Sequence, residues 1–257
     1  MTAALLAAFS GVLVGFTLGL VGGGGSILAV PLMVYLVGVR DPHAAIGTSA
    51  LAVAVNALAG LVNHARAHNV NWRCGGAYAL AGVVGAFAGS TLGKGFDGQK
   101  LLFLFALLML VVAGLMFRGR GREGVAGVVC NRDNFPRVAT FGFGTGALSG
   151  FFGIGGGFLI VPGLIASTAM PIYRAIGTSL VAVSAFGLTT AANYAASGLI
   201  DWAVAGSFIG GGIAGTAIGT AASRRLSASK GTLNTLFASM IAVVAFYMLW
   251  RSWGAIG

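Results

Sequence analysis

Twice in this chain a long apolar run is interrupted by a burst of glycine. The first reads Gly19-Leu20-Val21-Gly22-Gly23-Gly24-Gly25-Ser26-Ile27-Leu28-Ala29-Val30-Pro31. The second reads Gly150-Phe151-Phe152-Gly153-Ile154-Gly155-Gly156-Gly157-Phe158-Leu159-Ile160-Val161-Pro162. A glycine in a helix interior costs about 1 kcal/mol relative to alanine, so four within five or six positions do not hold an α-helix. Each run is therefore expected to form a helix, a short extended break, and a second short helix starting near Ser26 or Gly157. The surroundings sharpen the point. The chain is 57% hydrophobic and only 8% charged, where a soluble domain carries about 25% charged residues. Its mean hydropathy is +0.94, and most of its apolar runs exceed the roughly 17–20 residues that cross a bilayer. Irregular backbone at membrane depth persists only where protein buries it or a watery cavity solvates it. Paired, glycine-interrupted segments in two matching halves are the best sequence pointer to a transporter's substrate site.

The fold class that follows is an all-α polytopic membrane protein. It has eight hydrophobic segments, or up to ten helices when the interrupted ones are counted as halves. The longest polar stretch, residues 118–137, separates a first repeat (1–117) from a second (138–257). Gly47-Thr48-Ser49 recurs as Gly177-Thr178-Ser179, 130 positions on. At the same offset Asn63 meets Asn193, Trp72 meets Trp202, Gly85 meets Gly215, Gly89 meets Gly219 and Lys100 meets Lys230. The glycine bursts align at 131, Pro31 with Pro162. Agreement in register over this length indicates an internal duplication.

Loop charge bears on how the halves are oriented. If each interrupted segment crosses once, the halves are parallel and the 15 Lys and Arg divide nearly evenly. If each crosses an even number of times, the halves are inverted. The linker side then holds 11 of these charges (Arg66, Arg73, five linker arginines, Arg174, Arg224, Arg225 and Lys230), leaving four (15 − 11) elsewhere. The tendency of basic loops to stay in the cytoplasm favours the inverted arrangement, with the linker inside and both termini outside. Scattered over short loops, these charges serve topology, and no nucleic-acid surface is expected. The first 22 residues lack a basic leading segment, so no cleaved leader is expected. Cys74 and Cys130 have no metal-ligand spacing and are read as unpaired thiols.

Several polar groups could face a substrate. A helix starting at a glycine break offers amide N–H groups and the positive end of its dipole. The candidates are Gly23, Gly24, Gly25 and Ser26 in the first break and Gly155, Gly156, Gly157 and Phe158 in the second. Thr48, Ser49, Thr178 and Ser179 add hydroxyls that either cap a helix or donate to an anion. Gly15, Gly19, Gly85, Gly89, Gly146, Gly150, Gly215 and Gly219 form small-xxx-small patterns and are assigned to helix packing. Asn56, Asn63, Ser184 and Asn193 are expected to make interhelical hydrogen bonds. His43, His64 and His68 are expected in solvated loops. No Asp, Glu, Lys or Arg falls near the middle of an apolar run, so a mid-depth site must rely on neutral donors and helix ends. Such a site suits a small anion, which loses its water without a buried countercharge. No nucleophile-and-base pair, metal cluster or nucleotide loop is present, so neither enzymatic activity nor a cofactor is expected.

The Gly-rich break running into Val-Pro, followed by Ala45-Ile46-Gly47-Thr48-Ser49 and again by Ala175-Ile176-Gly177-Thr178-Ser179, resembles the sulfite exporter TauE/SafE family over essentially the whole chain. The resemblance implies a multi-pass permease of the bacterial inner membrane carrying small sulfur-containing anions such as sulfite, sulfonates or sulfoacetate. It leaves a homodimer as a candidate assembly. The expected function is secondary transport of a sulfur oxyanion or organosulfonate by alternating access about the two breaks. A channel-like pore, or a scaffold whose glycines serve packing alone, are the alternatives.

Overall fold

A computed structural model describes residues 2–118, 130, 134–153, 157–226 and 232–256. Helix α1 (Thr2–Val21) gives way at the glycine burst to a 3₁₀ segment (Gly22–Leu28), a single α turn, α2 (Ala29–Leu32), and a π turn (Met33–Val37). There follow α3 (Pro42–Arg66), α4 (Trp72–Gly93), α5 (Gly98–Arg118), α6 (Phe135–Phe152), α7 (Gly157–Thr168), α8 (Ile172–Ala195), α9 (Trp202–Leu226) and α10 (Thr232–Ile256). The protein is an all-α polytopic membrane protein. Among the described residues six helical spans are long and apolar enough to cross a bilayer, and Gly157–Thr168 and Ile241–Trp250 are shorter apolar helices. Leucine, phenylalanine and valine side chains line the outward faces, while Trp72, Trp202 and Trp250 are exposed, as suits anchors in the headgroup region.

Glycine seams hold the bundle together. On α1, Gly11, Gly15 and Gly19 lie against the backbone at Phe208, Gly212 and Thr216 of α9, while Gly211, Gly215 and Gly219 lie against Ala8, Val12 and Phe16. Indices rise together, so the two helices run parallel. The same seam joins α4 to α6: Gly85, Gly89 and Gly93 face Phe143, Ala147 and Phe151, and Gly142, Gly146 and Gly150 face Tyr78, Gly82 and Ala86. Each seam places backbone on backbone, which only residues without a side chain allow. Both seams join the first half of the chain to the second.

Between them stand α3 and α8. Gly187 abuts Ala50 and Ala54, whereas Gly60 abuts Leu180; one index rises as the other falls, so these two helices are antiparallel. Asn56 and Gly60 meet Gly212 and Thr216, and Gly75 and Gly82 meet Val181 and Phe186. Helix α3 is thus parallel to α9, and α8 to α4. Helices α1, α3 and α9 run one way; α4, α6 and α8 run the other. Helices α5 and α10 pack on each other.

Two expectations need correcting here. The first break is not extended but wound as a 3₁₀ helix, which satisfies amides by bonding three residues back. It folds against the end of α1, where Gly25 lies on the backbone of Thr17 and Leu18. The cysteines are not free thiols: Cys74, in the first turn of α4, is bonded to Cys130, with Cα atoms 5.3 Å apart. Residues 119–129 and 131–133 of the linker lie outside the described residues.

Candidate functional site

The two glycine bursts meet. Gly157, the first residue of α7, lies with its backbone against that of Gly23, so close that a side chain on either would strike the other. Gly155 and Gly156 lie outside the described residues. Gly23, Gly24, Gly25, Ser26, Gly157 and Phe158 are all buried. The chain enters each burst through a left-handed glycine, Gly22 at φ +68° and Gly153 at φ +66°. Any other L-residue would be strained there by about 1–2 kcal/mol. Each of these two glycines rests on an isoleucine from the opposite half: Gly22 on Ile176 and Gly153 on Ile46. Those isoleucines begin the Ile-Gly-Thr-Ser motifs, so each motif cradles the other half's break.

The hydroxyls complete that cradle. Ser179 Oγ accepts a hydrogen bond from the Gly23 N–H at 3.1 Å and donates to the Ile176 carbonyl at 2.7 Å. Ser49 Oγ donates to the Ile46 carbonyl at 3.0 Å, in the corresponding turn of α3. Ser26 Oγ donates to the Gly23 carbonyl at 2.8 Å. Thr48 Oγ1 accepts from the Asp201 N–H and Thr178 Oγ1 from the Asn71 N–H, both at 2.9 Å. Asp201 and Asn71 are themselves N-caps, of α9 and α4. Gly47 and Gly177 bring these loops close, lying on the carbonyls of Leu199 and Asn69. The motif thus has a divided role: glycine and threonine dock the next loop of the other half, and in the second copy the serine, Ser179, reaches the first break. The Phe158 side chain points away into an aromatic cluster with Phe105 and Phe152.

Three polar groups differ from expectation. His64 is not a solvated loop residue; it is fully buried. Its Nε2 lies 3.3 Å from the Gly19 carbonyl, and Nδ1 lies 3.1 Å from Asn69 Nδ2, which also donates to the Tyr173 carbonyl at 2.8 Å. With Nδ1 facing the Asn69 amide, Nε2 is turned to the Gly19 carbonyl, and the ring clamps the last turn of α1 before the break. Among the described residues Ser184 bonds within its own helix, to Leu180 O. Asn56 is fully buried, and neither of its amide atoms has a hydrogen-bond partner among the described residues. Asn193 does bond across helices, donating to Ser90 and Thr91 and accepting from Lys94. In sequence, the offset of 130 marks Asn71 and Asp201 as matching caps, a signal for the docking loops. Nothing in the pattern singles out His64 or Ile46. No group of His, Cys, Asp or Glu among the described residues is arranged to hold a metal.

The family model described as "Sulfite exporter TauE/SafE" matches residues 7–248. A "Probable membrane transporter protein" of Xylella fastidiosa strain Temecula1 is 53% identical, covering 96% of this chain and 95% of its own length. Its counterpart in strain 9a5c is 52% identical over the same shares. The "Probable membrane transporter protein YunE" of Bacillus subtilis is 25% identical, covering 84% of this chain and 87% of its own. No solved structure matches.

Proposed function

The chain belongs to the sulfite exporter TauE/SafE family, and we propose that this membrane transporter is a secondary carrier of a small anion, a sulfur oxyanion or organosulfonate. The observation that carries this reading is the meeting of Gly23 and Gly157, one from each half, at a depth where no full charge is present. In this reading the amides of Gly23, Gly24, Gly25 and Ser26 and those of Gly155, Gly156, Gly157 and Phe158 are the donors for the anion, those of the first break being released from their 3₁₀ bonds when substrate enters. Ser49 and Ser179 stand beside them. Thr48 and Thr178 use their oxygens to accept backbone N–H groups and keep their own protons to give. In the conformation described, Ser179 occupies the Gly23 N–H; an anion oxygen takes its place when substrate enters. Replacing a hydroxyl oxygen by an anionic one strengthens such a bond roughly twofold.

The halves are read as inverted repeats, supported by the antiparallel course of α3 and α8 and by the crossed seams α1–α9 and α4–α6. The two seams are stiff pairs, and rocking them about the α3–α8 core exposes the breaks to either face in turn. This topology leaves the linker on the side holding 11 of the 15 basic residues, and the tendency of basic loops to stay in the cytoplasm supports a reading with the linker inside and both termini outside, in a bacterial inner membrane.

The test is flux through the purified protein in proteoliposomes. Uptake of sulfite or a short sulfonate should saturate and should be absent from protein-free vesicles. Large unitary currents would make the protein a pore, and no flux of any such anion would leave only packing for the glycines.

A further inference from the structure

Among the buried polar side chains, Asn56 stands out. It lies in the middle of α3 with zero exposure and with both amide atoms unpartnered among the described residues. Leaving such a group unpaired away from water is costly, and native interiors avoid it unless something else pairs with it. Its location is informative. The α3–α8 register sets Asn56 level with the stretch of α8 around Ser184, since Ala54 faces Gly187 and Gly60 faces Leu180. On α8 the first break meets Ser179 by a hydrogen bond and Val183 by packing, so Asn56 lies within about one or two helical turns of the depth where the two breaks meet. The amide rests on Gly212 of α9, at a point where Gly15 of α1 also approaches Gly212; a Cβ at residue 212 would collide with it. In the other half, the position 130 residues on is Phe186, which covers Gly82 in the same way. An aromatic ring fills the place on one side; on the other a carboxamide fills it and finds no partner.

We propose that Asn56, resting unpaired on the α1–α9 seam, contacts the cargo and selects anions that carry a hydrogen-bond donor of their own. This rests on the transport reading above. A carboxamide donates through Nδ2 and accepts through Oδ1. A bare oxyanion satisfies only the N–H groups and sets its charge against Oδ1. An anion with an O–H satisfies both: its oxygens accept from Nδ2 and its hydroxyl donates to Oδ1. Charge points the same way. The desolvation cost of an ion grows as the square of its charge, so a dianion costs about four times as much as a monoanion where no countercharge waits. The cargo class is therefore a monoanion with a hydroxyl, either a protonated oxyanion or a hydroxyalkyl sulfonate. Phe186 offers no such pairing in the other half, so the cargo binds in one orientation.

Two probes of nearly equal size separate the outcomes: 2-hydroxyethanesulfonate and ethanesulfonate, which differ by the hydroxyl. Dissociation constants come from titration of the purified protein and flux from proteoliposomes. Wild type should prefer the hydroxyl-bearing probe by about tenfold or more, since a polar site rejects an analogue lacking its partner group. Asn56→Leu should bring the ratio to about one, while Asn56→Gln, which keeps the amide, should retain a preference. Wild-type protein that treats the two probes alike overturns the proposal without any variant. So does an Asn56→Leu protein, monodisperse on gel filtration, that keeps the wild-type ratio. Flux of neither probe, nor of sulfite, removes the transport reading and this inference with it; flux of both at an unaltered ratio removes the inference alone.

Discussion

Ser179 is the residue on which the first break leans most directly. Its Oγ is the partner of the buried Gly23 N–H, and an orphaned buried donor costs about 1–3 kcal/mol. Ser179→Ala should lower the thermal midpoint of the detergent-solubilised protein by that equivalent, whereas Ser179→Thr should recover most of it; a variant as stable as wild type would mean the bond contributes nothing. The sequence pointed to this serine through its recurrence at an offset of 130, and to its glycine partner through the burst. What it could not convey was the pairing between them, because a recurrence shows that two positions correspond and not that one reaches into the other's half. Asn56 was legible as a polar residue in an apolar run, but ordinary interhelical bonding was the expectation, and only the packing against Gly212 exposes its lack of partners. His64 was assigned to a loop since it sits two residues before the end of α3, at Arg66; burial came from α1 closing over it, a tertiary effect no local pattern carries.

At the level of elements, spacing told which face of a helix packs but not against what. The Gly-xxx-Gly faces of α1, α4, α6 and α9 were read as packing surfaces, yet their partners lie in opposite halves of the chain. That pairing sets a sharp contrast between glycines of one helix. A Cβ on Gly215 would strike the backbone at Val12 and Phe16, whereas one on Gly210 would meet nothing within 4 Å. Backbone cannot retreat as a flexible side chain can, and overpacking costs about 1–3 kcal/mol or more. Gly215→Leu should therefore abolish the monodisperse peak on gel filtration in detergent, and Gly210→Leu should leave it intact. Equal behaviour of the two would mean the α1–α9 seam is not closed as described. The glycine burst was legible as a place where α-helix fails. Its 3₁₀ winding was not, because glycine tolerates extended and turned backbone alike and tertiary contacts with Thr17 and Leu18 made the choice.

For the whole molecule, the bond between Cys74 and Cys130 and the distribution of basic residues bear on one question. Both cysteines lie on the linker side, and that side carries most of the positive charge. A cytoplasmic linker puts the pair in a reducing compartment, where a bond of this kind is transient. Alkylation of intact cells followed by lysis and mass mapping should then find Cys74 and Cys130 largely as thiols, with the bond forming after extraction into air. Complete oxidation in growing cells would turn the molecule over and set the linker outside. Two cysteines 56 positions apart, one of them in a polar loop, give no hint of proximity until α4 and the linker are folded onto the same face.

The crossed cradles have a further consequence. If the halves were identical in sequence, the arrangement that opens toward one face and the arrangement that opens toward the other would be copies of each other, and neither would be preferred. Any resting bias must then reside in mismatched pairs, among them Asn56 with Phe186, His64 with Tyr194 and Ser26 with Gly157. The direction in which such a molecule waits for its load is written in the places where its two halves have ceased to agree.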